Sequence, residues 1–154
     1  MNPHQLEALK KMSQSRMGIY EQRGTEGNQV RLRELLTDRE YVCHVASGYR
    51  GKAGELWYVR LFPPLEPELA TYHIVFTTPY VLIGVTKKDW IDFLRRNIVG
   101  MKASNETEAI HRLMKFGPRK NYWNKFVLLG YRHHQPDVIF LSGIPDLKST
   151  LPHA

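Results

Sequence analysis

The hydrophobic residues of this chain change their spacing near Thr86, and that change limits which folds are possible. From Arg16 to Thr86, apolar and polar residues alternate in short runs separated by Gly, Pro and Asp, a pattern typical of β-strands. After Thr86, apolar residues recur every three or four positions, as on one face of an α-helix. Strands followed by helices predict an α+β fold.

The strand half predicts a small antiparallel sheet of about six strands. Strands spaced about ten residues apart and joined by tight turns form a meander, and six short strands often curl into a barrel because closure removes exposed edges. Prolines 63, 64 and 67 end the fourth strand, since proline lacks the backbone donor of a ladder. The predicted strands are residues 17–22, 29–35, 41–46, 55–62, 71–77 and 80–85.

Three helices and a final short strand are predicted in the remainder. Thr86 with Asp89, and Asn105 with Glu108, have the residue types and spacing of helix-capping pairs. Glycines and prolines mark the C-terminal ends of the predicted helices. The predicted helices begin at residues 86, 105 and 121 and end at 100, 117 and about 133, and residues 138–141 form an apolar strand that adds to the sheet.

The N-terminal residues 1–14 predict a short helix or an arm. Leu6, Leu9 and Met12 recur at helical spacing, and Pro3 fits a first turn. Three apolar side chains bury little area, so this segment either docks on the fold or serves a partner. The predicted organisation is therefore an arm (1–14), an antiparallel β module (15–86) and a basic helical half packed on the sheet (87–154), which together form one compact domain.

Composition excludes several classes of protein. The 154 residues are 42% hydrophobic and 24% charged, as in ordinary globular domains. No apolar run is long enough to span a bilayer, and the N-terminus lacks the apolar core of a signal peptide, so we expect a cytoplasmic protein without membrane association. Cys43 is the only cysteine, which excludes an internal disulfide and an all-cysteine zinc site.

The net charge of +7 is unevenly distributed. Residues 15–86 hold eight basic and eight acidic residues, whereas residues 87–154 hold twelve basic and six acidic ones. Such asymmetry favours a polyanionic partner or an acidic protein surface, although a basic face can also serve only solubility. The candidate binding residues of the helical stretch are Lys87, Lys88, Arg95, Arg96, Arg112, Lys115, Arg119, Lys120, Lys125 and Arg132.

Two further features could contribute to binding. The loop of residues 48–52 places Arg50 and Lys52 beside glycines whose backbone amides can contact a phosphate, although it is equally readable as a plain hairpin loop. Aromatic residues next to basic ones can stack on bases. Helical phasing assigns Trp90 to the core and leaves Trp123 uncertain, so Tyr122 and Tyr131 are the stronger stacking candidates.

Catalytic and metal-binding signatures are weak. His133 and His134 are neighbours that point apart on a predicted helix, and His111 could join one of them only if the last two helices pack together. Cys43 fits a buried thiol, although His73 from another strand could approach it. We therefore assign no catalytic residue, no metal ligand and no cofactor.

The sequence thus favours a non-catalytic binding or accessory protein whose basic helical face engages a polyanion, RNA or DNA. The alternative is a protein–protein interaction subunit that contacts an acidic partner surface within a larger assembly. A histidine-based enzyme is the third hypothesis.

Overall fold

A computed structural model describes residues 2–64 and 71–154 of the chain. The helices are α1 (Pro3–Ser13), α2 (Lys87–Ile98), α3 (Glu106–Phe116) and α4 (Tyr122–Gly130), and a short 3-10 turn spans Lys148–Thr150. The strands are β1 (Arg16–Glu26), β2 (Gln29–Glu34), β3 (Glu40–Val45), β4 (Leu56–Leu61), β5 (His73–Val75), β6 (Tyr80–Ile83), β7 (Tyr131–Gln135) and β8 (Val138–Ser142). The α+β class is confirmed, and residues Pro3–Ser13 of the N-terminal segment form a helix.

The eight strands form a curled, mostly antiparallel sheet in the order β5-β3-β2-β1-β4-β6-β8-β7. Only β1, β2 and β3 meander as predicted. β4 pairs on the other side of β1, while β5 pairs parallel to β3, and β6 and β8 form a second parallel pair. Two backbone hydrogen bonds of 2.9 Å between Phe62 and Ile74 join the end of β4 to β5, so the first five strands curl back on themselves.

The curl divides the apolar side chains between two cores. Side chains of one face, such as Tyr20 and Trp57, pack inside the curl with the thiol of Cys43. Their chain neighbours Ile19 and Tyr58 point the opposite way and pack against the helices. This division follows from the two-residue period of a strand, and it explains why β4 is buried on both faces.

Helices α2 and α3 begin where the sequence predicts. The side chain of Thr86 accepts a hydrogen bond from the backbone N–H of Asp89, and the Asp89 carboxylate accepts one from the Thr86 N–H, which completes a capping box. Asn105 caps α3 through the N–H of Glu108. A side-chain cap of this kind stabilises a helix by about 1 kcal/mol.

The predicted third helix of the C-terminal half is too long. It ends at Gly130, and residues Tyr131–Gln135 form β7, which pairs with β8 around a turn at Pro136 and Asp137. Every residue of β7 is exposed, so this edge strand lacks the apolar alternation that identifies strands. An added Cβ on Gly130 would lie 3.1 Å from a ring carbon of Phe126. The helix therefore ends at a position where a side chain would crowd the core.

Several strand boundaries also differ from the predictions; the fifth strand, for example, is His73–Val75 rather than residues 71–77. β1 continues to Glu26, through a bulge at Arg23, where a turn was expected. Pro63 and Pro64 follow the fourth strand as predicted, whereas Pro67 lies outside the described residues.

The helix–sheet core predicts a large difference between two leucines on helices. Leu113 in α3 is 0% exposed, whereas Leu128 in α4 is 73% exposed. Leu113→Ala should lower the free energy of unfolding by about 2–5 kcal/mol, because it removes buried methyl groups and leaves a cavity. Leu128→Ala should change it by less than about 0.5 kcal/mol. Urea unfolding of both variants measures the difference, and similar losses would contradict this account of the core.

Candidate nucleic-acid interface

The C-terminal helix α4 is held in place by Trp123, which reaches into the helix–sheet core. Its indole Nε1 donates a 2.8 Å hydrogen bond to the backbone carbonyl of Leu113, near the end of α3. Its ring stacks on Tyr58 of β4, with centroids 5.1 Å apart. One side chain therefore fixes α4 against both the neighbouring helix and the sheet.

The turn between α3 and α4 presents two basic residues. Gly117 ends α3 with a φ of +67°, and a Cβ there would lie only 2.6 Å from the Cβ of Tyr122, so both the backbone conformation and the close approach require glycine. Asn121 is also left-handed, with a φ of 60°, which asparagine tolerates better than most residues. Arg119 and Lys120 lie exposed between these two positions.

A cavity of about 560 Å³ lies between α4 and the C-terminal segment. We call it the basic pocket. Its floor is apolar and includes Phe126, Leu129 and Leu151. Its rim carries four basic residues: Arg119, Lys120, Lys125 and Lys148. Three of these four cations, and Tyr122, belong to the set predicted from the sequence, and the fold brings them together.

The rim cations differ in their pairing from four of the other predicted cations. Within residues 2–64 and 71–154, none of the four rim cations forms an ion pair. Four cations on α2 and α3 do, and this internal pairing offsets their charge. The pairs are Lys87 with Glu21 (3.0 Å), Lys88 with Asp92 (2.7 Å), Arg96 with Asp146 (2.7 Å) and Arg112 with Glu108 (3.3 Å).

The remaining predicted residues lie elsewhere. Arg95 is exposed on α2, and Arg132 is exposed on the edge strand β7 rather than on a helix. Lys115 lies in the last turn of α3 with its ammonium 5.2 Å from the ring centre of Phe116, and it lines another cavity beside Arg16. The predicted basic face is thus divided among several surfaces.

The glycine loop is held by contacts inside the protein. The Arg50 guanidinium donates to the carbonyl of Gly27 in the β1–β2 turn, and Gln22 Nε2 donates to the carbonyl of Arg50 (2.8 Å). Lys52 is exposed but does not line the basic pocket. Arg50 therefore stabilises the β1–β2 turn.

Tyr122 lines the pocket but does not offer an open ring face. It is 7% exposed, its ring lies parallel to Phe93, and the Arg119 guanidinium lies 5.6 Å from the ring centre. Burial raises the pKa of the Tyr122 hydroxyl to about 12, and that hydroxyl has no hydrogen-bond partner among the described residues. Trp90 and Trp123 are also core residues.

Lys148 was missed by the sequence analysis. It lies 23 positions after Lys125 in a segment with no helical period. Thr150 folds this segment back through a 2.8 Å hydrogen bond from the backbone N–H of Ile144 to its hydroxyl. No local pattern in the sequence signals that placement.

The histidines do not form a shared site. His111 lies beside Arg16, whereas His134 bonds Tyr131 (2.6 Å) and lines a different depression. In the described part of the chain, no three His, Cys, Asp or Glu side chains are arranged to hold a metal ion. His73 pairs in register with Cys43, but its ring packs on Tyr41.

No family model matches the chain, and no curated protein is significantly similar to it. Among the residues that the structure describes, no helix combines the length and apolar composition needed to cross a bilayer.

Burial of Cys43 predicts an unreactive thiol. The side chain is 0% exposed, and burial raises its pKa to about 12. At pH 8 about one thiol in ten thousand is then ionised, and only the thiolate attacks a disulfide reagent. Native protein should react with a thiol-specific reagent far more slowly than protein unfolded in urea. Equal rates for the two states would show that the thiol is accessible.

Proposed function

We propose that this protein is a small non-catalytic binding protein of the cytoplasm that engages single-stranded nucleic acid at the basic pocket. The observation that carries this proposal is the convergence of four cations around one apolar floor: Arg119, Lys120, Lys125 and Lys148. Because no described carboxylate pairs with them, their charge is available to phosphates.

The apolar floor favours a single strand over a duplex. A duplex presents phosphates on its outside and keeps the faces of its bases stacked, so it can use the rim but not the floor. An unpaired base can enter the pocket and contact Phe126, Leu129 and Leu151 while its flanking phosphates meet the rim. The cavity volume of about 560 Å³ lies within the range of small-ligand sites.

The curled sheet provides a second, weaker support by analogy. Its first five strands, in the order β5-β3-β2-β1-β4, curl back on themselves, and five-stranded, partly open barrels of the OB type bind oligonucleotides. Those barrels use the face of the second and third strands. On this face, Arg31 pairs with Glu26 (3.5 Å) and Arg33 with Glu40 (3.2 Å), so the basic pocket is the stronger candidate here.

Neutralising the rim should weaken oligonucleotide binding and reduce its salt dependence. We expect the Arg119→Gln, Lys120→Gln and Lys125→Gln triple variant to lower the slope of log affinity against log salt by about two units, since each phosphate contact to a single strand contributes about 0.7. Fluorescence anisotropy with a labelled single strand, measured between low and physiological salt, gives both quantities.

The chain offers a matched control for this experiment. Lys88→Gln, Arg96→Gln and Arg112→Gln also remove three positive charges, but each of these residues already pairs with a carboxylate. The control should retain most of the affinity of the unmodified protein. Equal losses in both triple variants would indicate attraction by net charge alone, and no binding of the unmodified protein at low salt would end the proposal.

A protein–protein interaction subunit is the second candidate, and α1 favours it. None of the residues of α1 is buried, and Leu6, Leu9 and Met12 are 49%, 48% and 40% exposed. Such a stripe suits a hydrophobic groove on a partner, and the nearby basic residues suit an acidic surface. Removal of residues 2–13 should leave stability and oligonucleotide affinity unchanged if α1 serves only such a partner.

A further inference from the structure

A second basic cavity lies where α1 leads into β1, away from the rim residues of the basic pocket. It has a volume of about 300 Å³ and is lined by Arg16, Arg39, Tyr41 and His73, among others. We call it the Arg16 cavity. Arg16 and Arg39 fall in the part of the chain with no net charge, so composition gave no indication of it.

Arg16 is held in place at the cavity wall by neutral groups. Its Nη2 donates to the Tyr41 hydroxyl at 3.3 Å, and its Nη1 lies 3.4 Å from Nδ1 of His111. Because the Tyr41 oxygen accepts this hydrogen bond, its own O–H can donate to a ligand. The contacts orient the guanidinium but do not neutralise it.

The described residues that line the cavity include two arginines and no carboxylate. In the two described ranges of the chain, no carboxylate forms an ion pair with Arg16 or Arg39. The nearby Glu34 carboxylate is buried and accepts a hydrogen bond from the Thr37 hydroxyl at 2.5 Å. Among the described residues, Glu34 therefore forms an ion pair with neither guanidinium, although its second oxygen, Oε2, has no hydrogen-bond partner there.

Two neighbouring imidazoles, those of His73 and His111, have a lowered pKa. Burial, and then the Arg16 charge, lower the pKa of His73. Burial, Arg16 and Arg39 lower the pKa of His111, against an opposing effect of Glu34. Burial first, and then positive charge that a bound anion would offset, therefore favour the neutral form of both rings.

We propose that the Arg16 cavity binds the phosphate group of a small phosphorylated compound. The guanidinium forks of Arg16 and Arg39 and the hydroxyl of Tyr41 supply donors to its oxygens. The volume of about 300 Å³ is at the small end of ligand sites and suits a compact ligand. This inference is independent of nucleic-acid binding at the basic pocket.

Phosphate fits this arrangement better than a carboxylate does. A phosphate monoester carries up to two negative charges and three terminal oxygens, which match two separate guanidinium groups. A single carboxylate has two oxygens and one charge, so one bidentate arginine would satisfy it. Arg39 would then remain without a role in the cavity.

The direct test is a titration of the full chain with inorganic phosphate, with ionic strength held constant by chloride. The imidazole resonances of His73 and His111 are followed by NMR. We expect saturable shifts, together with a rise in the pKa of both rings, because a nearby anion favours their protonated form. Shifts that grow linearly with phosphate, or none, would overturn the proposal.

Variants locate the site. Arg39→Gln removes an exposed guanidinium and should not disturb folding, and Arg16→Gln removes the central one. Each should weaken phosphate binding by about tenfold or more, which corresponds to about 1.4 kcal/mol. Arg112→Gln is the control, because it lies next to His111 but pairs with Glu108. The same phosphate affinity in Arg39→Gln as in the control would overturn the assignment.

The oligonucleotide assay separates a small ligand from a nucleic-acid strand. Arg16→Gln and Arg39→Gln should leave oligonucleotide affinity within about twofold, whereas the rim variants lower it. If the cavity variants weakened oligonucleotide binding as strongly as the rim variants, the cavity would belong to the strand interface. That result would overturn a separate site for a small phosphorylated compound.

Discussion

The position of the C-terminal helix on the sheet depends on one buried tryptophan. Trp123 contributes a hydrogen bond to the carbonyl of Leu113 and a stacked contact to Tyr58, and it also packs edge-on against Phe93 and Phe126. The Leu113 carbonyl accepts a second bond from the N–H of Gly117, which closes the end of α3. The turn that carries Arg119 and Lys120 therefore starts from a helix end that is fixed by two hydrogen bonds to one carbonyl.

Ion pairs separate the basic residues of the helical half into two groups. Lys87, Lys88, Arg96 and Arg112 pair with carboxylates, and the four rim cations are among those that form no ion pair within the described residues. Surface pairs contribute little to stability, with a median of about 0–1 kcal/mol. Their effect here is on recognition, since a paired arginine or lysine attracts an external phosphate less. Pairing on α2 and α3 thereby lowers the charge that those helices offer to an external anion, whereas the four rim cations around the basic pocket form no such pair among the described residues. The same reasoning identifies the Arg16 cavity, whose cations also have no paired carboxylate among the described residues.

Local sequence signals predicted much of the fold but little of the site. Capping pairs and the hydrophobic period predicted where α2 and α3 begin, because both signals depend only on residues that are close together in the sequence. The sequence predicted a helix where β7 lies, because an exposed edge strand has no apolar alternation. The site could be predicted only in part: Arg119, Lys120 and Lys125 are near one another in sequence, but Lys148 and Arg16 reach their cavities through tertiary contacts. Whether a cation is paired also depends on distant residues, as with Lys87 and Glu21.

The parallel pairing of β6 with β8 has a consequence for how the protein is made. Val138 at the start of β8 packs inside the curl with strands from the first half of the chain, and Ser47 donates a 2.9 Å hydrogen bond to the carbonyl of Asp137. During synthesis, the N-terminal strands therefore leave the ribosome well before the segment that completes their core. The nascent sheet exposes the edge of β6 until β8 arrives, and in this interval a chaperone or a neighbouring chain can bind that edge.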